Sequence, residues 1–316
     1  MPAAASPLPE QAVQPPHLAE VRRQVLDWFA GAGRDLPWRA TRDPYSILVA
    51  EVVAQQTQAD RAAAGWARFL QAFPDVETLA AAGPGEVLRV WQGLGYNRRA
   101  LALLAAAKAV VAAGGWPRTV EGLAVLPGVG PYTARAVACF AFEQDAAPVD
   151  TNVARVLARS LLATDPAELR PAARQRLADA ALPPGSAWAW SSALMDIGAA
   201  HCRSRPRCDG CPLSGACAWL ALGAAAPPAR TRRQAPFATS DRRWRGAVVR
   251  ALAGAPDGLD HAALAEAADA GARSGQPDGW FAALLERLAG DGLVEVGADG
   301  RLRLPGEASG RPPGGA

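Results

Sequence analysis

Lysine, long apolar runs and an export signal are scarce or missing in this chain of 316 residues. Lys108 is the single lysine, so nearly all of the 33 basic residues are arginine, a bias that we attribute to GC-rich coding. No run of about 18 uninterrupted apolar residues is present, which argues against a membrane-spanning helix. Residues 1–17 also lack the charged-then-apolar order of a signal peptide. We therefore expect a cytoplasmic protein with no membrane partner.

Alternating strand-like patterns are nearly absent before residue 290, whereas apolar residues recur at helical spacing. The pattern therefore predicts an all-α fold. One long helix is predicted from Ser46 to Ala72 and another from Pro166 to Ala181. Composition divides the chain into a disordered tail, a large helical domain, a linker rich in proline and arginine, a small domain and a second disordered tail, at residues 1–17, 18–221, 222–237, 238–305 and 306–316.

The small domain ends in the chain's clearest strand signals. Three helices are predicted first, followed by two short strands joined by a turn at residues 298–300. The strands are expected at Leu293–Val296 and Arg301–Leu304. Three helices with a terminal hairpin resemble a winged helix. The net charge of +3 is mildly basic, which is compatible with nucleic-acid binding but does not establish it.

Four of the five cysteines lie within sixteen residues, in the spacing C-x5-C-x2-C-x5-C. In a chain without an export signal such crowding indicates a metal site, here Cys202, Cys208, Cys211 and Cys217. Zinc and a [4Fe–4S] cluster both accept four thiolates. Structural zinc usually pairs two C-x2-C knuckles, so the single knuckle favours iron–sulfur. The fifth, Cys139, is expected to be a small core residue.

A glycine turn and an aspartate stand at two predicted helix starts. Gly128, Val129 and Gly130 lie between apolar helical runs, where bare backbone N–H groups could bind a DNA phosphate. Asp150 follows about twenty residues later, before another helix. It could simply be an N-cap, and it could also supply a carboxylate to a reaction.

The stretches LPGVGPYTA and VDTNVARVLAR, followed by the four cysteines, resemble the helix-hairpin-helix DNA glycosylases related to endonuclease III. The resemblance covers roughly residues 18–220 and implies a fold of two helical subdomains with an iron–sulfur loop at residues 202–217. It also implies that Asp150 is the catalytic aspartate that stabilises the cationic sugar formed when the glycosidic bond breaks.

Position 132 separates the two kinds of enzyme in this superfamily. Bifunctional members carry a lysine directly after the hairpin, which forms a Schiff base with the sugar. Here the residue is Tyr132, and Lys108 lies on a different predicted helix. We therefore expect a monofunctional enzyme, with Tyr132 at the catalytic position.

The stretch AEVVAQQTQ resembles the signature of adenine glycosylases of the MutY type around their catalytic glutamate. Glu51 has apolar neighbours in sequence, an environment that should raise the pKa of its carboxyl group. A protonated glutamate could protonate the adenine ring and then activate water. The resemblance therefore implies double-stranded DNA with adenine opposite 8-oxoguanine or guanine as substrate, bound by a monomer.

By the same resemblance further residues would contact the bases or line the adenine pocket. Gln56 would wedge into the base stack, Thr57 would touch the opposite base and Tyr96 would stack beside it. Trp38, which could instead be a core residue, and Arg39 would line the pocket. Gln55 and Asp196 complete the predicted set.

Two features of known adenine glycosylases are missing. Residues 238–305 are too short and too helical for the Nudix-like domain that reads oxidised guanine, and we find no Phe-x-His element. The small domain would then be a replacement that contacts DNA or a packing module. A mismatch thymine or uracil glycosylase is the nearest alternative, although such relatives generally lack a counterpart of Glu51. A non-catalytic iron–sulfur protein that binds DNA is the alternative of another class.

Overall fold

The computed structural model describes residues 15–223, 236–237, 240–272 and 278–307. Helices dominate these ranges, which confirms the predicted all-α class. Residues 1–14, most of the linker at 222–237 and residues 308–316 lie outside the described residues, so the tails and the linker are seen only at their edges.

The α-helices of the described ranges are numbered in chain order. They are α1 (Leu18–Ala32), α2 (Pro44–Ala54), α3 (Ala59–Ala72), α4 (Val76–Ala81), α5 (Pro84–Val90), α6 (Arg98–Ala112), α7 (Val120–Ala124), α8 (Pro131–Phe142), α9 (Thr151–Leu162), α10 (Pro171–Ala181), α11 (Ala187–Ala200), α12 (Ala218–Ala221), α13 (Asp241–Ala253), α14 (His261–Ala267) and α15 (Trp280–Gly290). Short 3-10 turns occupy Pro37–Ala40, Pro166–Glu168 and Ala270–Ala272.

The single helix predicted from Ser46 to Ala72 was wrong. The chain breaks into α2 and α3 at residues 55–58, where Gln56 adopts a positive φ of 55° that cannot continue a right-handed helix. The segment from Pro166 is also divided, because the extended residues Leu169 and Arg170 separate a 3-10 turn from α10. Apolar spacing on either side of a one-residue reversal stays helical, so periodicity alone does not reveal the break.

The chain forms two compact units that interleave along the sequence. The first contains Met1–Leu48, Arg118–Val125 and Val129–Thr231, and the second contains Val49–Pro117, Leu126–Gly128 and Arg232–Ala316.

The core of the first unit forms where α9, α10 and α11 pack together and α1 packs on α11. Its buried side chains include Val21, Leu157, Leu177 and Trp190. Cys139 on α8 is fully buried in this core, as the sequence suggested. Burial of such apolar side chains contributes about 1.5–3 kcal/mol each, which makes this core a rigid support for the loops that leave it.

In the second unit α6 packs on α4 and α5, and α3 packs on α5. Phe69 contacts Phe73 and meets Trp91 edge-on, with ring centroids 5.1 and 5.6 Å apart, and all three rings are buried. Trp91 joins this cluster to the segment between α5 and α6, which carries Tyr96, by donating a 3.0 Å hydrogen bond to the carbonyl oxygen of Gly95.

The C-terminal module, which we define as the described residues 240–272 and 278–307, belongs to the second unit. Helices α14 and α15 both pack on α13, and Trp244 meets Trp280 edge-on at 5.5 Å. Two antiparallel strands follow, β1 (Glu295–Val296) and β2 (Leu302–Arg303), and Leu259 bridges to β2. The module therefore has the predicted order of three helices and a hairpin, with strands shorter than expected.

Candidate active site and cysteine segment

The hairpin turn requires glycine at one of its two glycine positions. Gly128 has a φ of +73°, and a Cβ added there would lie 2.5 Å from the Cβ of Ala102. Both the conformation and the close approach exclude a larger residue. The fold alone therefore requires glycine at position 128.

Gly130 is not explained in this way. It precedes α8 as its N-cap with an ordinary φ of −83°, and an added Cβ would meet nothing within 4 Å. The N–H groups at the start of α8 have no helical partners of their own, and a bare glycine lets an anion approach them closely. Pro131 and the half-buried Tyr132 begin the helix behind this turn.

The carboxylate of Asp150 is held at the start of α9. Its Oδ1 accepts a hydrogen bond of 2.7 Å from the N–H of Val153, so the predicted N-cap is present. Its Oδ2 accepts one of 3.0 Å from the side-chain amide of Asn152. The carboxylate is thus fixed in orientation by two donors from the first turn of one helix.

Burial raises the pKa of Asp150 above its ordinary value, and it outweighs the opposing effect of the hydrogen bonds from Val153 and Asn152. The negative charge of this half-buried carboxylate is only partly balanced by its surroundings. It would gain most from a cation that forms next to it.

Asn152 also connects Asp150 to the cysteine segment, defined as residues 202–217. Arg155, one turn along α9, donates 2.7 Å to the Asn152 side-chain oxygen and 3.0 Å to the carbonyl oxygen of Gly198. The same guanidinium donates to the carbonyl oxygen of Cys202. A continuous path of hydrogen bonds therefore runs from the Asp150 carboxylate to the first cysteine.

Glu51 lies on α2 in the second unit and is half-buried. Its helix neighbours Ala50, Val52 and Val53 are all buried. Glu51 is therefore not an ordinary exposed helix residue.

The turn after α2 presents the predicted base-reading residues at a strained position. Gln56 is exposed with its φ of 55°, and Thr57 caps the turn through a 3.2 Å hydrogen bond from its hydroxyl to the carbonyl oxygen of Gln55. A positive φ at a residue other than glycine costs about 1–3 kcal/mol and is concentrated at functional sites.

Arg99 ties this turn to the segment that carries Tyr96. Its guanidinium donates to the carbonyl oxygens of Val52 and Gln55, at 2.7 and 2.6 Å, and to that of Gly95 at 3.1 Å. It also lies 5.4 Å from the centre of the Tyr96 ring. Tyr96 itself is 43% exposed at a positive φ of 48°. One arginine thus fixes two segments that sequence reasoning assigned to base contacts.

Asp196 on α11 is an anchor for the loop after α1. It is 1% exposed, and its two oxygens accept from both Nη atoms of Arg39, at 2.9 and 3.0 Å. Arg34 adds its backbone N–H at 2.9 Å and its Nε at 2.5 Å. Trp38, between these arginines, is half-buried rather than part of the core.

Burial of Asp196 opposes ionisation, but the hydrogen bonds from Arg39 and Arg34 outweigh it and hold the pKa of Asp196 below its ordinary value. Arg39 is fully engaged by this carboxylate and by the carbonyl oxygens of Ser192 and Arg34. Within the first unit, Arg39 and Asp196 therefore act together to shape the loop that presents Trp38.

The four clustered cysteines line one cavity in the first unit, together with apolar side chains of α9, α11 and α12. Burial raises the pKa of the Cys202 and Cys211 thiols, that of Cys211 to about 11. If these thiols are deprotonated, the thiolates need positive charge beside them in the cavity, and a metal centre supplies that charge. Within the described ranges, no three His, Cys, Asp or Glu side chains converge on a position for a single metal ion.

Two unpaired donors border the same cavity. Arg159 is 2% exposed, and its Nε has no hydrogen-bond partner, although Nη1 lies 3.8 Å from Cys202 Sγ. The buried hydroxyl of Ser160 also lacks a partner. Four thiols beside unsatisfied buried donors fit a sulfur-rich anionic cluster, whose sulfurs accept hydrogen bonds. Arg159 further donates to the carbonyl oxygens of Arg203 and Ser204 and lies over Trp219, and so holds the segment in place.

The chain is similar to DNA repair proteins over most of its length. The model of the HhH-GPD superfamily of base excision DNA repair proteins matches residues 49–179. An adenine DNA glycosylase of Mycolicibacterium smegmatis is 41% identical over 303 residues, which cover 92% of this chain and 98% of that protein. The chain therefore belongs to the adenine DNA glycosylases of this superfamily.

Solved structures agree on the fold. A thermostable thymine-DNA glycosylase matches with a TM-score of 0.61 and 31% identity, over 65% of this chain and 97% of that one. A non-covalent endonuclease III–DNA complex matches with a TM-score of 0.55 and 22% identity, over 65% and 97%. The predicted helix-hairpin-helix glycosylase fold is thus confirmed. Within the described residues we find no helix with the length and apolar character of a membrane span.

Sequence reasoning assigned no role to Arg34, Arg99, Asn152, Arg155 or Arg159, yet these residues fix the predicted ones. The contact between Asn152 and Arg155 could have been predicted, because the two residues lie three positions apart inside the quoted motif and therefore on one face of α9. The contacts of Arg34 and Arg99 could not have been predicted, since their partners are far away in sequence or are backbone carbonyls.

Proposed function

We propose that this protein hydrolyses the N-glycosidic bond of adenine mispaired with 8-oxoguanine or guanine in double-stranded DNA. The observation that carries the proposal is the fixed, half-buried carboxylate of Asp150, in a chain that an adenine DNA glycosylase matches over nearly its whole length. The reaction leaves the sugar–phosphate backbone intact. Its place is the chromosomal DNA in the cytoplasm, where the protein acts as a monomer.

Asp150 stabilises the positive charge that develops on the deoxyribose as the bond breaks. Its two fixed donors keep the carboxylate oriented without neutralising it. An oriented carboxylate needs no reorganisation when the oxocarbenium-like transition state forms, which is the most effective form of electrostatic catalysis.

Glu51 protonates the adenine ring, because a neutral purine is a far better leaving group than its anion. Glu51 is half-buried on α2 between buried helix neighbours, and a positioned carboxyl group of this kind acts as a general acid. After the base departs, the resulting carboxylate accepts a proton from the attacking water. The proton given to adenine is thereby replaced.

The position at which a lysine would form a Schiff base with the sugar carries a tyrosine. Tyr132 occupies the first turn of α8, and the single lysine of the sequence, Lys108, is exposed on α6. Tyr132 supports the catalytic position without becoming a nucleophile towards the sugar, so the product is an intact strand with an abasic site.

DNA is bound and opened by the remaining predicted residues. Gly128, Val129 and Gly130 hold a phosphate on the N–H groups at the start of α8. Gln56 fills the base stack where adenine leaves it, Thr57 contacts the opposite base and Tyr96 stacks beside that base. Gln55 belongs to the same DNA-binding turn. Trp38 lines the adenine pocket, and Arg39 fixes that wall through Asp196.

A [4Fe–4S] cluster bound by Cys202, Cys208, Cys211 and Cys217 is the cofactor that the thiol set and its unpaired donors fit best. When bound, the cluster would join the four cysteines through iron–sulfur bonds and so crosslink the cysteine segment. The chain's own contribution is Arg159, which holds the segment's carbonyl oxygens from α9.

Labelled duplexes containing adenine opposite 8-oxoguanine, guanine and thymine, with a thymine–guanine duplex as control, test the proposal. Breaks should appear only after alkali treatment and only for the first two adenine duplexes. Glu51→Gln should abolish these breaks and leave duplex binding intact. Removal of thymine would favour a mismatch thymine glycosylase, and binding without any breaks would indicate a non-catalytic protein.

A further inference from the structure

An arginine of the C-terminal module reaches the tyrosine predicted to face the opposite base. Arg242, in the first turn of α13, has its Nη1 3.4 Å from the hydroxyl oxygen of Tyr96. The two residues are 146 positions apart in the chain but belong to the same compact unit. Tyr96 is therefore approached from two sides, because Arg99 also lies over its ring.

The contact does not depend on α13 alone, since the module is attached to α5 and α6 at several points. The N–H of Gly85 donates 2.9 Å to the carbonyl oxygen of Pro305, and Arg89 pairs with Glu307. Arg98, at the start of α6, lies 3.5 Å from Asp291. These contacts fix the module on the helices on either side of the Tyr96 segment.

The neighbouring arginines of α13 are used inside the module. Arg243 pairs with Asp269 at 2.8 Å, and Arg245 pairs with Asp291 at 2.5 Å. Of the three arginines in this stretch, Arg242 contacts a residue outside the module, the exposed Tyr96, at its hydroxyl. Arg243 provides a matched control of the same residue type in the same helical turn.

We propose that Arg242 is a positioning residue that orients the Tyr96 phenol, so that the C-terminal module sets how strongly the enzyme distinguishes 8-oxoguanine from guanine opposite adenine. The proposal rests on the proposed function. The Tyr96 ring is 43% exposed and is contacted by Arg99 at its face, so a donor at its hydroxyl adds a second point that restricts its orientation. Without Arg242 the ring turns more freely and contacts both opposite bases less selectively.

The test compares Arg242→Ala, Arg242→Lys and the control Arg243→Ala with the unaltered protein. Single-turnover excision rates and duplex dissociation constants are measured for adenine opposite 8-oxoguanine and opposite guanine. Arg242→Ala should reduce the preference for 8-oxoguanine by about threefold to tenfold, the range for loss of one hydrogen-bond contact. Arg242→Lys should restore part of it, and Arg243→Ala should leave it unchanged.

Tyr96→Phe, alone and combined with Arg242→Ala, shows whether Arg242 acts through the hydroxyl. In the Phe background Arg242→Ala should have no further effect on the preference. An effect of full size there, or equal behaviour of Arg242→Ala and Arg243→Ala, would overturn the proposal. If the unaltered protein excises no adenine, the proposed function fails, and the binding preference still decides the role of Arg242.

Discussion

The guanidinium of Arg155 donates a 2.7 Å hydrogen bond to the side-chain oxygen of Asn152, whose amide in turn donates to Asp150. This arrangement fixes which end of the Asn152 side chain faces the carboxylate, because Arg155 can only donate. The hydrogen-bond donor that holds Asp150 is therefore itself oriented from the next turn of α9.

Asn152→Ala should move the acidic limb of the excision profile to higher pH. Burial already raises the pKa of Asp150, and the Asn152 amide is one of the contacts that lower it. In the proposed mechanism only the ionised carboxylate stabilises the sugar cation, so excision should be lost as pH falls through this pKa. Single-turnover rates across pH measure the limb, with the exposed Thr151→Ala as control. An unmoved limb would show that Asn152 does not act on the Asp150 carboxylate.

Alanine at the two hairpin glycines should affect two different properties, stability at position 128 and DNA binding at position 130. Gly128→Ala should destabilise the fold by about 1–3 kcal/mol, because φ is positive and Ala102 is close. Gly130→Ala should leave thermal unfolding unchanged and weaken binding to duplex DNA, with or without a mispair. Calorimetry and fluorescence anisotropy separate the two. Normal DNA binding by folded Gly130→Ala would exclude phosphate contact at this turn.

Arg159→Ala should reduce iron and acid-labile sulfide in the purified protein and lower its thermal stability by about 1–3 kcal/mol. The carbonyl oxygens of Arg203 and Ser204 would lose their buried donor. Arg176→Ala, at an exposed position of α10, is the control. Full iron content together with unchanged unfolding would show that Arg159 does not hold the cysteine segment.

Asp196→Asn should destabilise the protein by about 3 kcal/mol at neutral pH, because it leaves two arginines without their buried carboxylate. The folded pKa of Asp196 is lowered, so its stabilisation is complete above the unfolded pKa and is lost as pH falls through the folded pKa. The difference from the unaltered protein should therefore shrink in acid. Asp179→Asn, which affects an exposed pair with Arg135, should cost far less. Equal losses would refute a special role for Asp196.

The parts of the fold that were predictable depend on short-range chemistry. Apolar periodicity located most helices, glycine located the hairpin, and cysteine spacing located the cavity-lining thiols. The break at Gln56 was missed because a single reversed φ leaves the apolar pattern undisturbed. The pair of Asp196 with Arg39 spans 157 positions, and only the packing of α11 brings them together. No pattern of spacing in the sequence indicates that two residues so far apart in the chain form an ion pair.

Arg99 has a consequence for how base recognition can change. Its guanidinium holds the carbonyl oxygens of the turn at Gln55 and of the segment at Gly95 at once. The two segments that we propose contact the bases therefore share one support and do not vary independently. Protein engineers who randomise residues 55–57 and 93–96 to alter base preference should keep Arg99 constant. Both segments should be randomised and selected together, because the conformation of each depends on the other through Arg99.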